Sequence, residues 1–255
     1  MNYQTAISFG LVHIPVIMNS AISNNDLTFN MLHKKCGNRL EYIRYCPSCK
    51  TKVKSTEIEK GFEYTKDNYV TLTEEDFDKL KANNDKIIEI IAFIDIKEID
   101  PIYYDKSYTL IANKSSKSFN LFKEALRKSK KVALAKTYIR NKAYYAIIRL
   151  GFKNIIMDTL YYDEEIKVQE ENKEKNYTDE ELKLAIKLIE NMTDTFTPEK
   201  YYDEYQENLK KAIDKKIHGK KIKASPKKNT KSINDLMEAL EKSLKESNGK
   251  KWVFN

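Results

Sequence analysis

Apolar and polar residues alternate through "AISFGLVHIPVIM" (residues 6–18), with Ile7, Phe9 and Leu11 on one face and Val12, Ile14 and Val16 on the other. A period of two predicts a β-strand. Pro15 has no N–H to give a ladder, so that end is expected at an edge or bend. "FEYTKDNYVTL" (62–72) holds two aromatic and β-branched runs around Lys66, Asp67 and Asn68, which predicts a hairpin because Asp and Asn tolerate turn geometry. Further strands are expected in "KIIEIIAFIDIKEI", "SYTLIA", "KVALAKTYIR", "AYYAIIRL" and "NIIMDTLYY". At least seven strands imply a β-rich body, most simply a barrel closed to hide its edges.

Phe119, Phe122, Ala125 and Leu126 recur at helical spacing, which predicts one helix packed on that barrel. Near residue 178 the pattern turns wholly helical. Thr178 and Glu181 form a capping box ahead of a stripe of Leu182, Ala185, Ile186 and Ile189. A second helix is predicted from Thr197 as cap and Pro198 at its first position, carrying Tyr201, Tyr205, Leu209, Ala212 and Ile213 until Gly219 stops it. This reads as a helical arm whose aromatic stripe is core or a subunit interface.

Lys215 to Lys231 contains eight lysines and no acid, the composition of a flexible linker. In "SINDLMEALEKSLKES" (232–247), Ser232 and Asp235 cap a short helix with Ile233, Leu236, Met237, Leu240 and Leu244 on one face. That face needs a partner, either the body of the chain or another protein. "WVF" at 252–254 adds an apolar end. The expected division is a core at 1–177, a helical arm at 178–219, and a basic linker with a terminal helix at 220–255.

The formal charge of +8 is unevenly placed. Residues 1–214 hold 34 basic and 34 acidic residues, whereas the last 41 hold 12 lysines against 4 acids. Within the neutral body, Lys34 to Lys54 has seven basic residues and one acid, and Lys123 to Lys153 has ten and one. Two basic surfaces on an otherwise acidic frame suit a polyanion. No apolar run reaches the roughly 20 residues of a membrane span, and the N-terminus lacks the pattern of a secretory signal. The expected location is cytoplasmic.

"HKKCGNRLEYIRYCPSCK" (33–50) contains every cysteine in the chain. His33 and Cys36 form one pair with two residues between, and Cys46 and Cys49 form another. Two such pairs joined by a loop are the ligand spacing of a zinc ribbon, so one structural zinc per chain is one expectation and free buried thiols are the other. A four-ligand zinc leaves no open position for water, so the role would be structural. No nucleophile motif or phosphate loop is present, and an enzyme is not expected.

The order of "ISFGLVHIPV", "LHKKCGNRLEYIRYCPSC", "GFEYTKDNYVTLTEEDF", "IDPIYYDKSYTL", "KVALAKTYIRNKAYYAIIR", "DTLYYDEEI" and the 181–220 helical segment resembles the bacterial Ku family over residues 5–220. The resemblance implies a β-rich α+β fold: a Ku-type β-barrel core, a C-terminal helical arm and a flexible basic tail, assembled as a ring-shaped homodimer. It further implies threading onto double-stranded DNA ends in nonhomologous end joining, without sequence specificity, and recruitment of an ATP-dependent multifunctional DNA ligase.

Charge then nominates DNA contacts. Arg127, Lys128, Lys130, Lys131, Lys136, Arg140, Lys142 and Arg149 form one set, Lys34, Lys35, Arg39 and Arg44 a second, and Lys215, Lys216, Lys220 and Lys221 a third in the tail. Leu236, Met237, Leu240 and Leu244 are the candidate partner-binding face. The rival readings are a zinc-ribbon transcription or RNA-binding factor, suggested by the cysteines, and a nuclease, suggested by charge alone.

Overall fold

Gly10 (φ 55°) and Leu11 turn the first alternating run back on itself, so it forms two strands, β1 (Tyr3–Phe9) and β2 (Val12–Ser20), and not one. Glycine takes this left-handed conformation freely because it has no Cβ. The hairpin pairs Ile7 with Ile14 and Phe9 with Val12. The two apolar sets that alternation assigned to opposite faces therefore share one inner face, and Leu11 is left fully exposed at the turn. The computed structural model describes residues 3–80, 87–113, 117–139, 142–167, 177–221 and 236–247. It contains two compact units, Met1–Val168 and Gln169–Asn255.

In the first unit, an insertion after β2 carries two small hairpins. One pairs β3 (Tyr45–Cys46) with β4 (Thr51–Lys52), and the other pairs β5 (Lys60–Thr65) with β6 (Asn68–Leu72) around Asp67 at φ 62°. The expected Lys66–Asn68 turn is present. A short helix, α1 (Glu74–Leu80), follows Thr73, which exchanges hydrogen bonds with Asp76.

The barrel is completed by β7 (Ile87–Ile94), β8 (Tyr104–Ala112), β9 (Val132–Ile139), β10 (Lys142–Leu150) and β11 (Ile155–Leu160). The strands close in the order β1-β2-β8-β11-β10-β9-β7. Only the seam between β1 and β7 is parallel. Period-two alternation places Ala133 and Ala135 of β9 inside, opposite Ile148 and Ala146 of β10, while Leu134 and Lys136 point outward. Small side chains on β9 make room for Ile14, Val16, Ile88, Leu110, Ile155 and Met157, all buried in the same core. Pro15 lies just past the last β2–β8 pair, Val16 with Ala112, and its carbonyl accepts from the Asn113 N–H at 3.2 Å. Helix α2 (Lys117–Ser129) lays Phe119, Phe122 and Leu126 on the core as its spacing predicts, whereas Ala125 stays exposed, and the Phe122 ring sits 5.6 Å from that of Phe9. Burying each such side chain contributes about 1.5–3 kcal/mol.

In the second unit, α3 (Asp179–Met192) begins with the expected capping box: the Glu181 N–H donates to Thr178 Oγ1, and the Glu181 carboxylate accepts from the Thr178 N–H. The expected stripe is rotated, however. Leu184, Ala185 and Leu188 are the half-buried residues, while Leu182, Ile186 and Ile189 stay exposed. The second helix also starts later than its proline suggests. Thr197 and Pro198 open only a 3-10 turn, Pro198–Lys200, whereas α4 (Glu204–Ile217) is capped by Asp203, whose carboxylate accepts from the Gln206 N–H at 2.8 Å. Tyr201 thus precedes the helix and stacks on Phe196 at 5.4 Å. Lys215 and Lys216 lie in the last turn of α4, so no linker starts there, and residues 222–235 and 248–255 fall outside the described residues. Helix α5 (Leu236–Ser247) packs along α3, with Leu244 only 9% exposed.

Candidate nucleic-acid interface

The first basic set sits on the insertion. Leu32 bridges Arg39, the Gly37 N–H donates to the His33 carbonyl, and the His33 N–H donates to the Asn38 carbonyl at 2.8 Å, forming a tight hairpin that puts Lys34 and Lys35 at its exposed tip. Arg44 donates from a guanidinium nitrogen to Ser55 Oγ at 3.3 Å, and its carbonyl accepts from the Val53 N–H. All four cations of this set are exposed.

The four candidate metal ligands form two pairs. His33 Nδ1 lies 3.0 Å from Cys36 Sγ. Cys46 and Cys49 interact across the turn that joins β3 to β4. The Cys49 N–H, then the Cys49 thiol, then the Ser48 N–H hold the Cys46 thiol below its ordinary pKa. Hydrogen bonding to Cys46, and repulsion by it once ionised, push Cys49 up. Among the described residues, no three His, Cys, Asp or Glu side chains gather closely enough to hold a metal ion. Each pair offers two donors, half a tetrahedral set, and the arrangement does not fit one four-ligand zinc. The alternative of buried thiols is corrected, because Cys36 and Cys49 are exposed and Cys46 is half-buried on a two-residue strand.

The second basic set divides by what each charge already meets. Arg127 pairs with Glu124 one turn back on α2, Lys131 with Asp95 at 3.8 Å, and Lys142 with Glu165 at 3.5 Å. The Glu165 carboxyl is held below its ordinary pKa first by the Tyr162 N–H it accepts from, with burial opposing this, and then by Lys142. Arg149 is tied most tightly. Its Nε lies 2.6 Å from Oδ2 of buried Asp158, whose other oxygen accepts from the Ser107 hydroxyl at 2.5 Å. Asp158 and Thr159 were missed in the sequence, although an Asp-Thr pair inside "IIMDTL", an otherwise apolar strand, is the signal that a polar network must satisfy them.

Lys136 points outward from β9, opposite Tyr145 of β10 and Glu89 of β7, with its ammonium 5.8 Å from the Tyr138 ring centroid. Lys128 and Lys130 are exposed and have no ion pair among the described residues. Arg140 falls outside the described residues. In the second unit, Lys215 and Lys216 occupy the α4 C-terminus, where the helix dipole favours cations, and Lys220 and Lys221 follow Gly219 in the open. Of the four candidate partner-binding residues, Leu240 is half-buried and Leu244 buried within the chain, while the side chains of Leu236 and Met237 lie outside the described part.

Comparison with known proteins adds an independent line. Residues 8–184 match the family model described as the Ku70/Ku80 beta-barrel domain. The chain is 40% identical over 252 residues to a protein of Desulfitobacterium hafniense named Non-homologous end joining protein Ku, covering 98% of this chain and 88% of that one. Proteins of the same name from Bacillus subtilis (35% over 250 residues, 95% and 80% covered) and Archaeoglobus fulgidus (34% over 247 residues, 95% and 97% covered) are also similar.

Proposed function

The chain belongs to the Ku family, and we propose that it is a non-enzymatic protein that binds double-stranded DNA ends in nonhomologous end joining. The observation that carries this reading is similarity along nearly the whole chain to proteins named for that process, the family-model match spanning the barrel from the end of β1 through β11.

Two copies form a ring through which the duplex passes. The exposed stripe of Leu182, Ile186 and Ile189 on α3, left uncovered by α5, supports a second copy as the subunit partner. A ring would touch phosphates and not base edges, so binding is indifferent to sequence. The exposed cations Lys34, Lys35, Arg39, Lys128 and Lys130 are the best-placed phosphate ligands because no carboxylate among the described residues compensates them. The same protein recruits an ATP-dependent DNA ligase through its C-terminal segment and works in the cytoplasm on the nucleoid. Among the described residues no helix is long and apolar enough to cross a membrane.

Gel shifts with linear duplex and with covalently closed circles of the same sequence test the proposal. Binding is expected on the linear form only. Equal binding to closed circles would remove end loading, and selective binding at an internal site would favour the zinc-ribbon alternative.

A further inference from the structure

An apolar groove opens between α2 and the β1–β2 hairpin. Phe9 and Val12 of the hairpin, Phe93 of β7, and Leu121, Phe122 and Ala125 of α2 line a volume of about 560 Å³. Leu121 is 68% exposed and Phe93 49% exposed, so the barrel leaves two large apolar side chains uncovered at one place. The floor is preformed, since the Phe9 ring meets Phe93 edge-on at 6.3 Å and Phe122 at 5.6 Å. Exposed apolar clefts of this kind accept the apolar face of a helix.

Charge selects among occupants. At about 100° per residue, Lys117, Glu124 and Lys128 stand on the flank of α2 beside Leu121, and Glu124 is already paired with Arg127. Lys130 follows the helix end, and none of these three lysines has an ion pair among the described residues. Lys131, at the mouth, is already paired with Asp95. The groove therefore has an apolar floor and a cationic lip. The chain's own apolar "WVF" follows Lys250 and Lys251, which such a lip repels. Nucleic acid matches the lip and offers no aliphatic side chains for the floor.

We propose that this groove docks an acidic amphipathic helix of a partner protein, with apolar anchors three and four residues apart on the floor and Asp or Glu residues against Lys117, Lys128 and Lys130. The apolar floor takes no part in the end-binding reading, whereas Lys128 and Lys130 are shared with it, so a bound duplex and an acidic helix would compete for those two lysines alone.

Fluorescence anisotropy of the full chain with labelled helical peptides tests the assignment. One peptide carries Leu anchors with Glu flanks, a second the same anchors with Lys flanks, and a third Glu flanks with Ala for the anchors. The first is expected to bind at least about tenfold more tightly than the others and to weaken as salt rises. Leu121→Gln should weaken it about tenfold and Lys128→Glu severalfold, with the urea midpoint and binding to linear duplex unchanged in Leu121→Gln. Equal binding of the basic peptide, or no effect of Leu121→Gln, overturns the proposal. Displacement by duplex DNA without sensitivity to Leu121→Gln would assign the lip to DNA alone and overturn it too.

Discussion

Arg149 and Asp158 meet diagonally across the β10–β11 ladder: Arg149 is paired with Ile156 and Asp158 with Ile147, yet Nε and Oδ2 lie 2.6 Å apart. The carboxylate is buried, and the guanidinium keeps about a third of its surface in water. An arginine nominated for DNA is thus the counter-ion of a buried acid.

Arg149→Ala should destabilise the barrel by about 2–3 kcal/mol, somewhat below the usual cost of stranding a fully buried charge because this pair is partly solvated. Urea unfolding checks this. Arg149→Leu combined with Asp158→Asn should recover most of the loss, since no charge is then left alone. If Arg149→Ala instead kept its stability and lost only DNA affinity, the structural assignment would be wrong.

Lys34 and Lys35 stand uncompensated at a hairpin tip, whereas Lys142 is held by Glu165. Each phosphate contact adds about 0.9 to the slope of log affinity against log salt. The double substitution Lys34→Ala, Lys35→Ala is expected to reduce that slope by nearly two for linear duplex, and Lys142→Ala by clearly less. A salt series of titrations reads both.

The exposed α3 stripe offers a direct test of assembly. Ile186→Asp with Ile189→Asp should shift sedimentation from dimer to monomer and leave the circular dichroism unchanged. End binding should fall with the dimer.

How much of the fold was legible in the sequence depends on the range of the interaction. Strands β7 to β11 and the Phe119–Leu126 face of α2 declared themselves through local periodicity, which burial on one face enforces. The β1–β2 hairpin was read as one strand, although the alternation slips from odd to even positions at Leu11 and Val12, which is the mark that a two-residue turn at Gly10 and Leu11 leaves. Thr197-Pro198 has the form of a helix start, but Asp203 makes the better cap, and only its bond to the Gln206 N–H separates the two. Arg149 could not be assigned from charge, since its partner arrives from the next strand. The cysteine spacing was equally plain, and whether its two halves meet is decided by the loop between them.

Those thiols differ in a way that pH exposes. The Cys49 N–H holds Cys46 below its ordinary pKa, and Cys49 is pushed up by its neighbour. As pH rises, Cys46 should become the thiolate first. Iodoacetamide followed by peptide mass analysis should therefore label Cys46 ahead of Cys49 in reduced, chelated protein. Elemental analysis of untreated protein tests the zinc expectation beside it. One zinc per chain, lost on Cys46→Ser or Cys49→Ser, would show that the two pairs close around a metal.

Helix α5 covers part of α3 while carrying the residues nominated for the ligase. Deleting residues 232–255 is expected to leave end binding largely intact and to weaken stimulation of an ATP-dependent ligase. Leu244→Asp separates the two roles: it should loosen α5 from α3, seen as faster proteolysis. Unchanged ligation after the deletion would remove the recruitment role.

The parallel seam has a kinetic consequence. Ala6 finds its second neighbour only when Ile87 has been made, and Val16 waits longer still for Ala112. During synthesis the first hairpin therefore carries two unpaired edges past the whole insertion, a long-range closure of the kind that slows folding. Until β7 and β8 emerge, that hairpin stays open to pairing with a neighbouring copy.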